Sequence, residues 1–148
     1  LLAGKTGIHD DVLLDLCQKI GLMPLINAHD AGLSMPLSDA LQSVSAGQLQ
    51  LIGLARLFLR QPRIWLLDDP LVHLSDPLRI KLTNLMSERI QPDQTLIFIS
   101  HHPEMLRLAD RIVVLGNGRL LMDGPSDQIL PQWEARWQRQ QMRGITHK

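Results

Sequence analysis

SVSAGQLQLIGLARLFLRQPRIWLLDDPLVHLSD, residues 43–76, holds a helix start, a helix stop, a buried strand and two carboxylates in succession. Ser45-Ala46-Gly47-Gln48 is a small polar turn that opens a helix. Leu51, Leu54, Ala55 and Phe58 then recur at helical spacing as far as Arg60. Gln61-Pro62 ends that helix. Ile64-Trp65-Leu66-Leu67 is an apolar run of strand length, read here as buried on both faces of a parallel sheet. It delivers Asp68 and Asp69 at its carboxyl end, and Pro70 stops it. A helix N-terminus offers free N–H groups and a positive dipole end to anions. A carboxylate at the end of a strand can hold Mg²⁺, usually through water. One segment therefore supplies an anion site and a cation site, a pairing that points to nucleoside triphosphates.

Working outward, the flanks extend the same pattern. Pro77 sits in the first turn of a helix reaching about Glu88, with Asp76 as its expected N-cap. Pro92-Asp93 makes a turn, and residues 95–99 form a second apolar strand. Strand, helix and strand of these lengths imply a right-handed βαβ unit. Ligands in such sheets bind at the carboxyl ends of the strands, where Asp69 and His101 both fall. Residues 111–115 and 119–122 flank Gly116-Asn117-Gly118, a hairpin signal. Ser126 is expected to cap a short helix, followed by a polar segment, residues 131–143, with Trp133 and Trp137 on one helical face. Upstream, Asp10-Asp11 opens a helix running to Ile20 and closed by Gly21. Val12, Leu13, Leu16 and Ile20 are its expected core stripe. Residues 23–41, broken by Pro24, Gly32 and Pro36, read as short helices and loops, with Met23 and Met35 as core filler. His101-His102 is not read as a metal pair, because adjacent side chains on an extended chain point apart.

Composition sets bounds. The 148 residues are the size of one domain. Lys plus Arg equals Asp plus Glu at 15 each. That balance argues against general nucleic-acid binding, which shows a basic excess. The single cysteine, Cys17, falls on the apolar side of a helix and suggests neither disulfides nor an oxidising compartment. Apolar runs fall short of the roughly 18 residues that a membrane helix needs. No signal peptide is expected at Leu1-Leu2-Ala3. Any membrane attachment is therefore expected through a partner.

Four motifs in this order resemble the ATP-binding cassette (ABC) family. Val44-Ser45-Ala46-Gly47-Gln48 is similar to its signature LSGGQ, with Val for Leu and Ala for the first Gly. Residues 64–69 resemble its Walker B strand, with Asp68-Asp69 in place of Asp-Glu. Ser100-His101 stands where the family has its switch histidine. Residues 110–119 resemble its closing hairpin. The resemblance covers residues 1 to about 130 and implies an α/β fold. That fold is a partial P-loop NTPase-type parallel sheet, Walker B onward, with a helical signature subdomain. Residues 1–43 would belong to that subdomain, residues 44–130 to the ATPase core and residues 131–148 to a C-terminal tail. Gly4-Lys5-Thr6 invites a P-loop reading, but the full motif needs a Gly five residues earlier. The resemblance implies instead a turn just after the family's glutamine loop, with the Walker A strand and P-loop expected outside this chain.

The resemblance also implies roles. Asp68 would hold Mg²⁺, Asp69 would orient the attacking water and His101 would reach the γ-phosphate. Ser45, Ala46, Gly47 and Gln48 would cover ATP bound by a second ABC ATPase domain, and Asp76 would lie in the loop crossing that dimer. Leu74-Ser75-Asp76 replaces the usual Leu-Asp, which shifts that Asp by one residue. Asp69 is shorter than Glu by one methylene, so either the backbone has moved to compensate or the site hydrolyses slowly and mainly clamps ATP; slow hydrolysis is the expectation. The implied whole is the ATPase domain of an exporter, similar to the type I secretion group. It would be held by transmembrane segments at the cytoplasmic face of a membrane and would not contact nucleic acid. The alternatives are a soluble ABC ATPase, against which no heptad run occurs, and a catalytically degenerate half of an ABC dimer.

Overall fold

The computed structural model describes residues 7–36 and 44–145, with side chains in the last helix described as far as Arg136. The expectations for Gly4-Lys5-Thr6 and for residues 37–43 lie outside the described residues. The chain divides into two compact units, one ending at Ile99 and one beginning at Ser100.

In the first unit, α1 (Asp10–Ile20) starts with two carboxylates at its positive end and stops at Gly21, which takes φ 84°. A left-handed residue there lets the chain close on the last carbonyls, and glycine adopts it without a Cβ penalty. Leu16, Cys17 and Ile20 are buried, whereas Val12 is exposed. The stripe is thus set by 16, 17 and 20 rather than by Val12, because the face turned inward lies one residue further round. Burial raises the Cys17 thiol pKa. The short α2 (Met23–Asn27) and a 3-10 turn (Gly32–Ser34) follow, with Met35 buried beneath them.

Helix α3 (Ala46–Arg60) carries Leu51, Leu54, Ala55 and Phe58 inward, each at most 4% exposed. Gln61, at φ 46°, turns the chain into β1 (Ile64–Asp68). Trp65 is fully buried and meets Phe58 edge-on, with ring centroids 5.8 Å apart at 62°. That contact locks strand to helix through the favoured arrangement of ring quadrupoles. Helix α4 (Asp76–Arg89) then crosses to β2 (Thr95–Ile99), which pairs in parallel with β1 in the register Ile64↔Thr95 to Asp68↔Ile99. Parallel pairing across a helical crossover is the βαβ arrangement expected of an α/β domain.

Two expectations need correcting in this unit. The strands are not buried on both faces: Ile64, Leu66, Ile97 and Ile99 are all more than half exposed. With side chains alternating across a two-stranded sheet, only the Trp65 face meets the helices. The N-cap of α4 is Ser75, not Asp76, because Ser75 holds the extended φ and ψ of a cap and Asp76 is already helical.

The second unit begins with the one-turn helix α5 (Pro103–Leu106). An antiparallel hairpin follows, β3 (Arg111–Gly116) with β4 (Arg119–Pro125). Asn117 and Gly118 take φ 51° and 71° at its turn, the pair of positive angles that a two-residue hairpin loop requires. Arg111 forks onto Asp123 at 2.7 and 2.8 Å, which lowers the Asp123 pKa below the ordinary carboxylate value. Helix α6 (Ser126–Ile145) packs on this hairpin, with Ile129 buried against Gly124. It is continuous where a short helix and a separate polar segment were expected. Pro131 lies within it, and Gln132 Nε2 donates to the Gln128 carbonyl (2.9 Å) beside the missing backbone donor. Among the described residues, no helix is long and apolar enough to cross a membrane.

Candidate functional site

The start of α3 is held by a reciprocal pair of bonds. Ser45 Oγ accepts from the Gln48 N–H (3.2 Å), and Gln48 Oε1 accepts from the Ser45 N–H (2.8 Å). Such a box fixes the angle at which the chain enters a helix. Both side chains are therefore engaged in shaping the turn, and Ser45 keeps its hydroxyl proton to donate outward. The N–H groups of Ala46 and Gly47 sit in the first helical turn, ahead of any intrahelical acceptor. Gly47 is packed as well as turned: a Cβ there would lie 2.9 Å from the His73 backbone oxygen. Its missing side chain lets the loop after β1 run against the helix start.

At the other side of that loop, β1 ends in the two carboxylates. Asp68 is exposed and Asp69 is half-buried. Asp69 takes φ 41°, a left-handed conformation that Asp tolerates better than most residues. Its N–H donates to the Ile99 carbonyl of β2 at 2.9 Å. Its own carbonyl accepts from the Val72 N–H (3.3 Å) and from Gln50 Nε2 (3.4 Å). The Gln50 Oε1 accepts from the His73 N–H at 3.1 Å. One α3 side chain thus spans the loop from Asp69 to His73. The structure brings Gly47 of the signature-like turn onto the loop that leaves Asp69. As an exposed, hard oxygen donor at a strand end, Asp68 fits the chemistry of water-mediated Mg²⁺ binding.

Asp76 is the first residue of α4, 81% exposed, with its carboxylate 2.6 Å from Arg79. In the second unit, the rings of His101 and His102 lie with centroids 4.1 Å apart. They do not point apart as expected; residues 100–102 lie beyond the end of β2, and the His102 N–H is tied back to Ser100 Oγ at 3.2 Å.

The ABC transporter family model matches residues 20–72. The ABC-type transporter fsqE of Aspergillus fumigatus is 31% identical over 97% of this chain. The ATP-dependent lipid A-core flippase of Neisseria gonorrhoeae is 31% identical over 81% of it. The glutathione/L-cysteine transport system ATP-binding/permease protein CydC of Haemophilus influenzae is 28% identical over 86%. The chain belongs to the ATP-binding cassette family. It spans 11%, 19% and 22% of the lengths of those three relatives respectively.

Within the ABC family, this chain is exporter-like, with the mixed α/β architecture of a P-loop NTPase. Sequence reasoning missed Gln50 in this ABC chain. The signal was a polar residue between Leu49 and Leu51, two positions after the signature glutamine. Such a residue asks for a polar partner, and Gln50 has two.

Proposed function

We propose that this chain is part of the ATP-hydrolysing domain of an ABC exporter and works only within the intact protein. The observation that carries this reading is the pair Asp68-Asp69 at the carboxyl end of β1, with the capped start of α3 held to the loop that follows them. Residues 1–43 act as a helical subdomain, residues 44–130 as the ATPase core and residues 131–148 as a tail. The Walker A loop comes from elsewhere in the parent protein. A transmembrane domain and a second ATPase domain are its partners, and it works at the cytoplasmic face of the membrane.

In this reading Asp68 holds Mg²⁺ through water. When bound, that ion offsets phosphate charge during transfer. Asp69 accepts a hydrogen bond from the attacking water and aims it. His101 donates to the γ-phosphate. Ser45 donates its hydroxyl, and the Ala46 and Gly47 N–H groups point the positive end of α3, at the γ-phosphate of ATP held by the second domain. Gln48 shapes that turn from behind, and Asp76, the first residue of α4, follows directly on the loop that crosses to the partner. Asp69→Asn in the full-length protein should reduce ATP turnover at least a hundredfold with ATP affinity little changed. Unchanged turnover would remove Asp69 from the chemistry.

A second reading has its own observation. Ala46, Asp69 and Ser75 all depart from the common ABC pattern. They suit a slow half-site that clamps ATP while the partner site turns over. Turnover in a parent with Asp69 as its sole acidic group at this position separates the two.

A further inference from the structure

We infer that Gln50 is a positioning residue for Asp69, acting as a strut that ties the start of α3 to the loop at 69–73. This rests on the proposal that Asp69 orients the attacking water. The geometry is specific. The His73 N–H donates to Gln50 Oε1 at 3.1 Å, which fixes the orientation of the amide and leaves Nε2 facing the Asp69 carbonyl at 3.4 Å. The Asp69 backbone holds φ 41°. Such a conformation persists where surrounding bonds over-determine it. Three bonds do so here: the Asp69 N–H to Ile99, the Val72 N–H to Asp69 and the Gln50 amide to Asp69.

The Ile99 and Val72 bonds are main-chain and survive any substitution of Gln50. The Gln50 bond runs from α3 to the Asp69 backbone carbonyl and so carries the position of the helix to that residue. Gly47 completes the strut, because its Cα approaches the His73 carbonyl too closely for any side chain. A shift of the α3 start, such as closure onto a nucleotide would bring, is carried by Gln50 and Gly47 to the Asp69 backbone. The carboxylate then takes its working position only when the signature-like turn is seated.

The test uses the full-length protein in its membrane. Gln50→Leu keeps volume and helix propensity but removes both bonds. It should lower kcat for ATP about tenfold while KM stays within about twofold, the size expected from losing one hydrogen bond to a positioned group. Backbone amide exchange at His73 should quicken by a similar factor. Gln50→Glu retains the acceptor for His73 and loses the donor to Asp69. It should keep His73 protected and give an intermediate kcat; this variant and the amide measurement decide the matter if Gln50→Leu fails to fold. Unchanged kcat in Gln50→Leu, with Asp69→Asn inactive, overturns the strut and leaves the reading of Asp69 intact. Parallel losses in kcat and ATP affinity also overturn it, since they indicate a general disturbance. Full turnover in Asp69→Asn removes the reading itself and the strut with it.

Discussion

Asp69 meets two opposed demands. Its backbone sits at φ 41°, where a short polar side chain that can bond locally is least strained. Its proposed task asks for reach, since a group that orients water must lie within about 2.6–3.2 Å of it. Aspartate satisfies the backbone and falls a methylene short of the glutamate common in the family. The backbone cost of a longer residue in a left-handed position falls on stability, whereas the gain in reach falls on the barrier. Asp69→Glu in the full-length protein is therefore expected to raise turnover with nucleotide affinity nearly unchanged, and to lower the melting temperature slightly. Lowered turnover would mean that the pocket is already fitted to aspartate. His101 gives a complementary prediction. His101→Ala should reduce kcat much more than ATP binding if the imidazole acts on the γ-phosphate, whereas equal losses would mark a structural histidine. The neighbouring ring of His102, 4.1 Å away, means that His102→Ala also disturbs His101 and will not be silent.

At the scale of elements, helix α3 is the part that both packs and presents. Its inward face, Leu51, Leu54, Ala55 and Phe58, was legible in the sequence because a period of 3.6 residues is a property of the chain alone. So were both parallel strands and the hairpin turn at Asn117-Gly118, whose positive φ angles follow from residue type. The open face of β1 and β2 was not legible. An apolar run of strand length has no period to say how many of its faces are covered, and Ile64 and Leu66 read the same whether buried or exposed. The Gln50 contacts were hidden for another reason: they join residues 19 and 23 positions apart, and no local rule supplies that pairing. Nor did position alone reveal that Ser45 and Gln48 hold each other, although the spacing of a capping box was present. That box yields a prediction on stability. Ser45→Ala should cost about 1 kcal/mol, read as a lower melting temperature, because the Gln48 N–H loses its acceptor. Ser45→Asp should restore stability and yet weaken ATP-dependent dimerisation, since a carboxylate caps the helix as well but repels phosphate. Undiminished dimerisation in Ser45→Asp would separate the turn from any nucleotide.

At the scale of the whole chain, the parts fall unevenly between metal, water and phosphate. Residues proposed for Mg²⁺, for the attacking water and for a partner's γ-phosphate are present. The motif that cradles phosphates through successive backbone N–H groups, G-x-x-x-x-G-K-[ST], does not occur within the 148 residues. Phosphate-loop donors and their lysine supply much of the grip on a triphosphate in such ATPases. Two carboxylates without them repel ATP rather than bind it, and the start of α3 offers only the few donors of a single helix turn. Chelated Mg²⁺ offsets part of that repulsion but adds no purchase on the base or ribose. Calorimetry of this 148-residue chain with MgATP is therefore expected to show no heat of binding at tens of micromolar ATP. Addition of the purified parent ATPase domain, which would bring its own phosphate loop, should produce binding that Ser45→Asp diminishes. Micromolar affinity in the isolated chain would contradict this distribution of roles, and would turn attention to Gly4-Lys5-Thr6 as a source of phosphate donors.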